Sequence, residues 1–270
     1  MASLESQIDG RWQLAVRAAA EAGRITLKYF QQGNYQVSRK ADGSPVTEAD
    51  RESERLLREI IESEFPNDGI VGEEFTPREG QSGFRWILDP IDGTKSFISG
   101  VPLYGTLVGV QYEERSVVGV IEMPALDERV HGATGQGAWH IRGNHAAQRC
   151  QVTNCEKLVD GLVLTSEIEG WSQRRSVECL IELQRAGWFM RTWGDCYGYL
   201  LVVTGRALAM VDPIMNIWDA AAVQPILEEA GGIFTDWEGL ARSDGGDGIG
   251  TNHSVHQELL EILGRVTKQM

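Results

Sequence analysis

The chain carries two successive rhythms of apolar and polar positions. Near its start Trp12, Val16, Ala19 and Ala22 recur at three- and four-residue spacing, the mark of one buried helical face. Gly33 and Asn34 end that helix. Residues 39–45 read as a polar loop punctuated by Gly43 and Pro45. A second helix starts near Thr47 and buries Leu56, Leu57, Ile60 and Ile61. Thr47 caps it, Asp50 three residues on is the acidic partner of a capping box, and Pro66 closes it.

Short strand-like runs follow over residues 69–72, 84–88, 106–112, 116–123, 129–133 and 137–141, each bounded by Gly, Pro, Asp or Glu-Glu turns. Consecutive strands with tight connections predict an antiparallel sheet. Past residues 148–157 the rhythm changes to alternation. Strands over 162–165, 188–192, 207–211 and 233–236 interleave with helices over 172–186, 196–204, 217–230 and 254–263, Gly264 stopping the last. Pro225 kinks the helix it falls in. The pattern therefore divides the chain into an α+β unit over residues 1–150, with two helices and an antiparallel sheet, and an α/β unit over residues 151–270.

Charge narrows the partners. The 39 acidic against 25 basic residues give a net charge of -14, without a Lys/Arg run. That argues against a nucleic-acid partner and suits a protein that gathers cations. No apolar stretch approaches the ~20 residues of a membrane helix, and the polar start MASLESQIDGRW has no apolar signal core. Cys150, Cys155, Cys179 and Cys196 form no CxxC and match no zinc spacing, as expected of reduced thiols. These features predict a cytoplasmic protein with no membrane or nucleic-acid partner. The five histidines show no ligand spacing.

The densest chemistry lies at Trp86-Ile87-Leu88-Asp89-Pro90-Ile91-Asp92-Gly93-Thr94. An apolar strand runs into a turn that Pro90 enforces. Two carboxylates three residues apart on one turn can converge on a hard cation such as magnesium, which takes oxygen ligands. Gly93 lets the backbone approach a ligand closely, and a short helix opening at Gly93-Thr94 would offer free N–H groups to a phosphate. An ordinary Asp-rich turn has the same spelling. Two further signals shift the balance: Glu73 ends the strand Gly69 to Gly72, and Asp219 falls in the first turn of a helix after Asn216. Alone, Asp219 would read as a helix-dipole acid.

Taken together, Gly72-Glu73-Glu74, Asp89-Pro90-Ile91-Asp92-Gly93-Thr94 and Trp218-Asp219-Ala220-Ala221 resemble, in order and spacing, the inositol monophosphatase-like phosphatases. Thr47-Glu48-Ala49-Asp50 is similar to that family's Thr-x-x-Asp, and Glu228-Glu229-Ala230-Gly231-Gly232 to its Glu-Ala-Gly-Gly. The resemblance spans nearly the whole chain. It implies a layered αβαβα sandwich, a homodimer, and hydrolysis of small phosphate monoesters with two or three Mg2+ ions. It implies Glu73, Asp89 and the Ile91 carbonyl as ligands of a first ion, and Asp89, Asp92 and Asp219 of a second. Asp50, bonded to Thr47, would act on a weaker third ion through water. Thr94 would orient the attacking water, and the Gly93 and Thr94 amides would hold phosphate oxygens. Metal coordination acidifies water and offsets charge at the phosphoryl group, so no Cys or His nucleophile is needed.

Further stretches resemble the histidinol-phosphatase branch of that family: Lys95-Ser96-Phe97, the run 100–107, the run 191–199 and the run 211–219. Asp195 is a full charge where inositol-type relatives carry a small or hydroxyl-bearing residue, and Asp212 replaces a Glu. An ammonium-bearing ester, L-histidinol phosphate, would meet such a carboxylate in a charge-assisted hydrogen bond. Arg191 would meet the phosphate or fix Asp195. The competing reading of Asp195 is a helix N-cap. Trp193 and Tyr197 read as walls for an imidazole or as core. Inositol monophosphate, nucleotide bisphosphates and sugar bisphosphates are the other substrates to weigh, and a non-catalytic metal-dependent scaffold is the reading from another class. Gly132-Ala133-Thr134-Gly135-Gln136-Gly137 is read as a hairpin turn.

Overall fold

The computed structural model describes residues 3–33, 35–40 and 43–267, so the helix stop expected at Asn34 lies outside the described residues. Helix α1 (Leu4–Tyr29) ends ahead of Gly33. Its buried stripe centres on Leu14, Ala15, Ala18 and Ala22, with Trp12 and Val16 packed at the edge. Of the loop expected over 39–45, the end residues Arg39 and Pro45 belong to strands: β1 (Val37–Arg39) pairs antiparallel with β2 (Pro45–Thr47). Helix α2 (Glu48–Glu64) begins at the expected capping box of Thr47 and Asp50. It buries Leu57 and Ile61 fully, with Leu56 and Ile60 half-buried.

A seven-stranded sheet follows in chain order: β3 (Gly69–Gly72), β4 (Phe84–Asp92), β5 (Gly105–Tyr112), β6 (Arg115–Met123), β7 (Glu128–Ala133), β8 (Gly137–Arg142) and β9 (Gln148–Arg149). Its neighbours are antiparallel, as the pattern predicts, with one exception. β3 runs parallel to β4, because residues 73–83 carry the chain back to the starting end before β4 begins. Helix α3 (Thr94–Ile98) leaves the end of β4. The Gly-rich run 132–137 is the β7–β8 turn, as read, and its Gly135 and Gly137 amides donate to Glu229.

The second sheet has the order β11-β10-β12-β14-β13, from β10 (Leu162–Leu164), β11 (Phe189–Arg191), β12 (Ala209–Asp212), β13 (Ile233–Thr235) and β14 (Gly248–Thr251). β10 is parallel to β11 and β12, and β14 is antiparallel to β12 and β13. The helix expected over 172–186 is two, α4 (Ile168–Gln173) and α5 (Val177–Ala186). They are separated where Arg175 adopts a left-handed φ of 56°. After α6 (Asp195–Val203), the helix expected over 217–230 is also two pieces, α7 (Ile217–Ala220) and α8 (Val223–Glu229). Pro225 has no N–H to offer the Ala221 carbonyl four residues back, which is where the ladder lapses. Helix α9 (His256–Thr267) runs through Gly264, which does not stop it.

These elements stack in five layers. α1 and α2 cover one face of the seven-stranded sheet around Leu14, Leu57, Trp86 and Val108. α6 and α8 fill the space between the two sheets with Tyr199, Leu200, Val223 and Ile226. α5 and α9 close the far face of the second sheet around Leu183 and Leu259. This is the αβαβα sandwich expected. The middle layer lies very close to the first sheet: a Cβ on Gly119 of β6 would stand 1.9 Å from the Ala222 carbonyl oxygen. Among the described residues no helix is long and apolar enough to cross a membrane.

Candidate metal and phosphate site

Pro90 shapes the end of β4. The register against β5 shifts between Asp89, which faces Leu107, and Asp92, which faces Gly105. In a regular strand residues three apart point to opposite faces; a bulge puts them on one side. The Thr106 hydroxyl donates to the Pro90 carbonyl at 2.9 Å and holds the bulge. Asp219 arrives from the first turn of α7, where it closes a capping box with Asn216. One oxygen from each of Asp89, Asp92 and Asp219 lies within 4.8 Å of the others.

Glu73 follows the parallel strand β3, and its amide donates to the Leu88 carbonyl at 3.2 Å, so it stands next to Asp89. Behind it, the buried Glu54 accepts from the Glu74 amide at 2.7 Å and pairs with Arg58 at 2.8 Å. Gly72 makes room for this, since a Cβ there would lie 2.1 Å from the Glu54 carboxylate. Asp50 accepts from the Thr47 amide at 2.7 Å and its hydroxyl at 2.5 Å. Gly93 takes a left-handed φ of 82° and caps α3, and the Thr94 hydroxyl donates to the Ile91 carbonyl at 3.0 Å.

The electrostatics follow from crowding. Burial and then the charge of Glu73 push the Asp89 carboxyl well up; burial and then Asp195 do the same to Asp92. Burial raises Asp219 to about 7 and Asp50 to about 6. Carboxylates that resist ionising together call for a cation. The donors are all oxygens. The nearby Cys196 thiol is itself pushed up by burial and packs on the Met123 sulfur at 3.6 Å. This donor set fits magnesium and is a poor match for a thiolate- or imidazole-seeking ion.

On the rim, Asp195 does not cap its helix; Gly194 occupies the cap position of α6 and Asp195 is its first residue, with a left-handed φ of 55°. Ser166 holds this corner together. Its hydroxyl donates to Asp212 at 2.6 Å and accepts from the Asp195 amide at 3.0 Å. The close approach needs Gly194, where a Cβ would sit 2.4 Å from Ser166. Burial raises the Asp195 carboxyl to about 6 and the Asp212 carboxyl to about 7. The Arg191 guanidinium donates to the Met190 carbonyl at 2.8 Å, and the Asp195 amide is held by Ser166. Trp193 is exposed and Tyr197 packs against the core. Sequence reasoning missed Ser166 and Glu54, which belong to no motif, and Lys40, whose ammonium lies 2.6 Å from Glu73 and 2.5 Å from Glu74.

The chain is similar over nearly its whole length to several known proteins. A histidinol-phosphatase of Chlorobaculum parvum is 42% identical over 253 residues, covering 93% of this chain and 96% of that protein. An inositol-1-monophosphatase of Mesorhizobium japonicum is 30% identical, covering 92% and 94%. Among solved structures, the extragenic suppressor protein SuhB from Bartonella henselae superposes with a TM-score of 0.85 at 28% identity, covering 94% of this chain and 98% of that one. The model of the inositol monophosphatase family matches residues 10–267, and the chain belongs to that family.

Proposed function

We propose that this phosphoric monoester hydrolase acts on L-histidinol phosphate, releasing L-histidinol and phosphate with two or three Mg2+ ions, and that it works as a cytoplasmic homodimer. The observation that carries the substrate reading is the position of Asp195. A Cβ on Gly93 would stand 3.0 Å from its Oδ2. An ester whose phosphate rests on the Gly93 and Thr94 amides therefore turns its alcohol portion toward a carboxylate. Asp212, joined to that corner through Ser166, places a second carboxyl beside it. An ammonium-bearing alcohol suits this rim better than a neutral polyol. The histidinol-phosphatase relatives support the same choice.

In this reading Glu73, Asp89 and the Ile91 carbonyl hold one ion, and Asp89, Asp92 and Asp219 another. Asp50, oriented by Thr47, serves a third through water. Bound magnesium supplies charge neutralisation for the phosphoryl group and lowers the pKa of water. The chain's own groups do the positioning. The Thr94 hydroxyl orients the attacking water, and its bond to Ile91 keeps that carbonyl in place. The Gly93 and Thr94 amides align the phosphate for in-line attack, with a new O–P bond forming as the bond to the alcohol oxygen breaks. Asp195 and Asp212 hold the ammonium away from the reacting centre. Arg191 stays a candidate contact to the phosphate.

Phosphate release from L-histidinol phosphate and from inositol 1-phosphate, measured side by side with and without magnesium, tests the proposal. Magnesium-dependent release from L-histidinol phosphate alone is expected. Preference for inositol 1-phosphate would remove the role given to Asp195 and keep the metal reading. No magnesium-dependent release from either would remove both and favour a scaffold.

A further inference from the structure

Lys95 stands in the stretch Lys95-Ser96-Phe97, to which the metal and phosphate reading gives no part. It follows Thr94 in the first turn of α3. Its ammonium donates to Glu167 Oε2 at 2.5 Å and so joins α3 to the segment ahead of α4, 72 residues away. Glu167 occupies the cap position of α4 but makes no side-chain cap bond there. It follows Ser166, whose amide and hydroxyl both donate to Asp212 and whose hydroxyl accepts from the Asp195 amide. The side chain of Lys95 is 59% exposed and that of Glu167 52%. Both charges are near enough for the Asp195 carboxyl to feel them: after burial, Glu167 pushes it up and Lys95 draws it down. A row of groups therefore runs outward from the phosphate seat. A Cβ on Gly93 would stand 3.0 Å from Asp195 Oδ2, and Glu167 is the next carboxylate toward solvent.

We infer that Glu167 is a specificity-determining residue that takes the imidazole of L-histidinol phosphate, and that Lys95 occupies Glu167 until the ester binds. The inference rests on the substrate reading above and deepens it. In that ester the phosphate, the ammonium and the imidazole follow one another along a short chain, in the same order as the Gly93 amide, Asp195 and Glu167. An imidazole N–H donates to a carboxylate in a charge-assisted hydrogen bond. Displacing Lys95 costs little, because an ion pair this open to water is weak and its ammonium is readily rehydrated. The lysine must also order a long, flexible side chain to make its contact. The ester, already held by its phosphate and ammonium, presents its ring to Glu167 at a high effective concentration.

The test compares the whole protein with its Glu167→Gln and Lys95→Met variants on two esters in magnesium. L-Histidinol phosphate carries an ammonium and an imidazole; O-phosphoethanolamine carries the same phosphate and ammonium without the ring. Each is measured as a substrate, and O-phosphoethanolamine also as a competitive inhibitor. Glu167→Gln should raise KM for L-histidinol phosphate about fivefold and keep kcat, while the constants for O-phosphoethanolamine move by less than about twofold. Lys95→Met should lower KM for L-histidinol phosphate about twofold, and should do nothing in the Glu167→Gln background, as two residues acting through one contact require. A rim that acts only through its overall charge would shift both esters alike. Equal shifts on the two esters, no shift in Glu167→Gln, or a Lys95→Met variant with KM unchanged or raised overturns the inference and leaves the substrate reading standing. A parent that releases no phosphate from L-histidinol phosphate removes the substrate reading and this inference together.

Discussion

The backbone amide of Cys196 donates to Oδ2 of Asp92 across 2.5 Å. The first turn of α6 is thereby fastened to the carboxylate turn at the end of β4, although 104 residues separate them. One oxygen of Asp92 is held by the helix, where the positive end of α6 favours an anion. The other is left to a cation or substrate. The two halves of the site are thus joined by a backbone contact from the first turn of α6.

Asp92→Asn removes a negative charge from this junction and changes little volume. Loss of a residue one step removed from a metal commonly costs 10- to 100-fold. Loss of Asp92 itself should lower turnover by more than about a hundredfold, with circular dichroism unchanged. A mutant at near-parental rate would sink the assignment of Asp92.

Asp195→Ala separates recognition from chemistry. A hydrogen bond to a charged group contributes about 1.5–3 kcal/mol. The variant should lose roughly ten- to a hundredfold in kcat/KM on L-histidinol phosphate and far less on a neutral phosphate ester. Equal losses on the two substrates would end the idea of amine recognition.

Proton and metal linkage give a third expectation. Asp219, Asp212 and Glu74 are raised to about 7 and Asp50 to about 6, each chiefly by burial. An acid raised in the folded state contributes stability below its unfolded pKa and loses it as pH rises through the folded value. With EDTA present, Tm should therefore fall as pH climbs through about 6 to 7. Magnesium should oppose that fall at pH 8 and do little at pH 5, where the ligands hold protons. At a hundred times its dissociation constant a ligand contributes about 2.7 kcal/mol, several degrees of Tm for a chain of this size. A magnesium effect of equal size at pH 5 and pH 8 would contradict the carboxylate site.

His131 provides a pH signal far from that chemistry. Its Nδ1 accepts from the Trp12 indole at 3.1 Å, and burial, with Arg129 adding to it, lowers the imidazole to about 4. A depressed histidine stabilises the fold above its unfolded pKa near 6.5 and loses that contribution as pH falls through about 4. His131→Asn keeps an acceptor for Trp12 and removes the titration. Between pH 7 and pH 4.5 its Tm should decline less than the parent's; parallel profiles would count against a neutral buried ring.

Contiguity decided which features could be read from residues alone. Asp89, Pro90, Asp92 and Gly93 form one local device, so strand, turn and helix opening were all visible. The Thr47–Asp50 capping box was equally local. The direction of β3 was not, because a short strand has the same pattern in either direction. β14 escaped notice because half of Gly248–Thr251 is glycine, needed where Gly248 and Gly250 lie against Tyr199. Gly264 misled because a helix tolerates a glycine at about 1 kcal/mol when its neighbours pack well, as Leu259 and Leu263 do. Ser166, Glu54 and Lys40 act through partners distant in sequence, and no spacing announces them.

The carboxylate cluster takes Asp89 and Asp92 from the end of β4 in one sheet and Asp219 from the helix that follows β12 in the other. The connection between the sheets, past β9, is a single extended passage. A polypeptide severed there would leave two pieces, neither with a full set of ligands. The first would also expose the inner face of its sheet, and the second the α6 and α8 surface that packs on it. Hydrolysis would then be a property of the reunited pair alone, and released phosphate would count how many fragments had found each other.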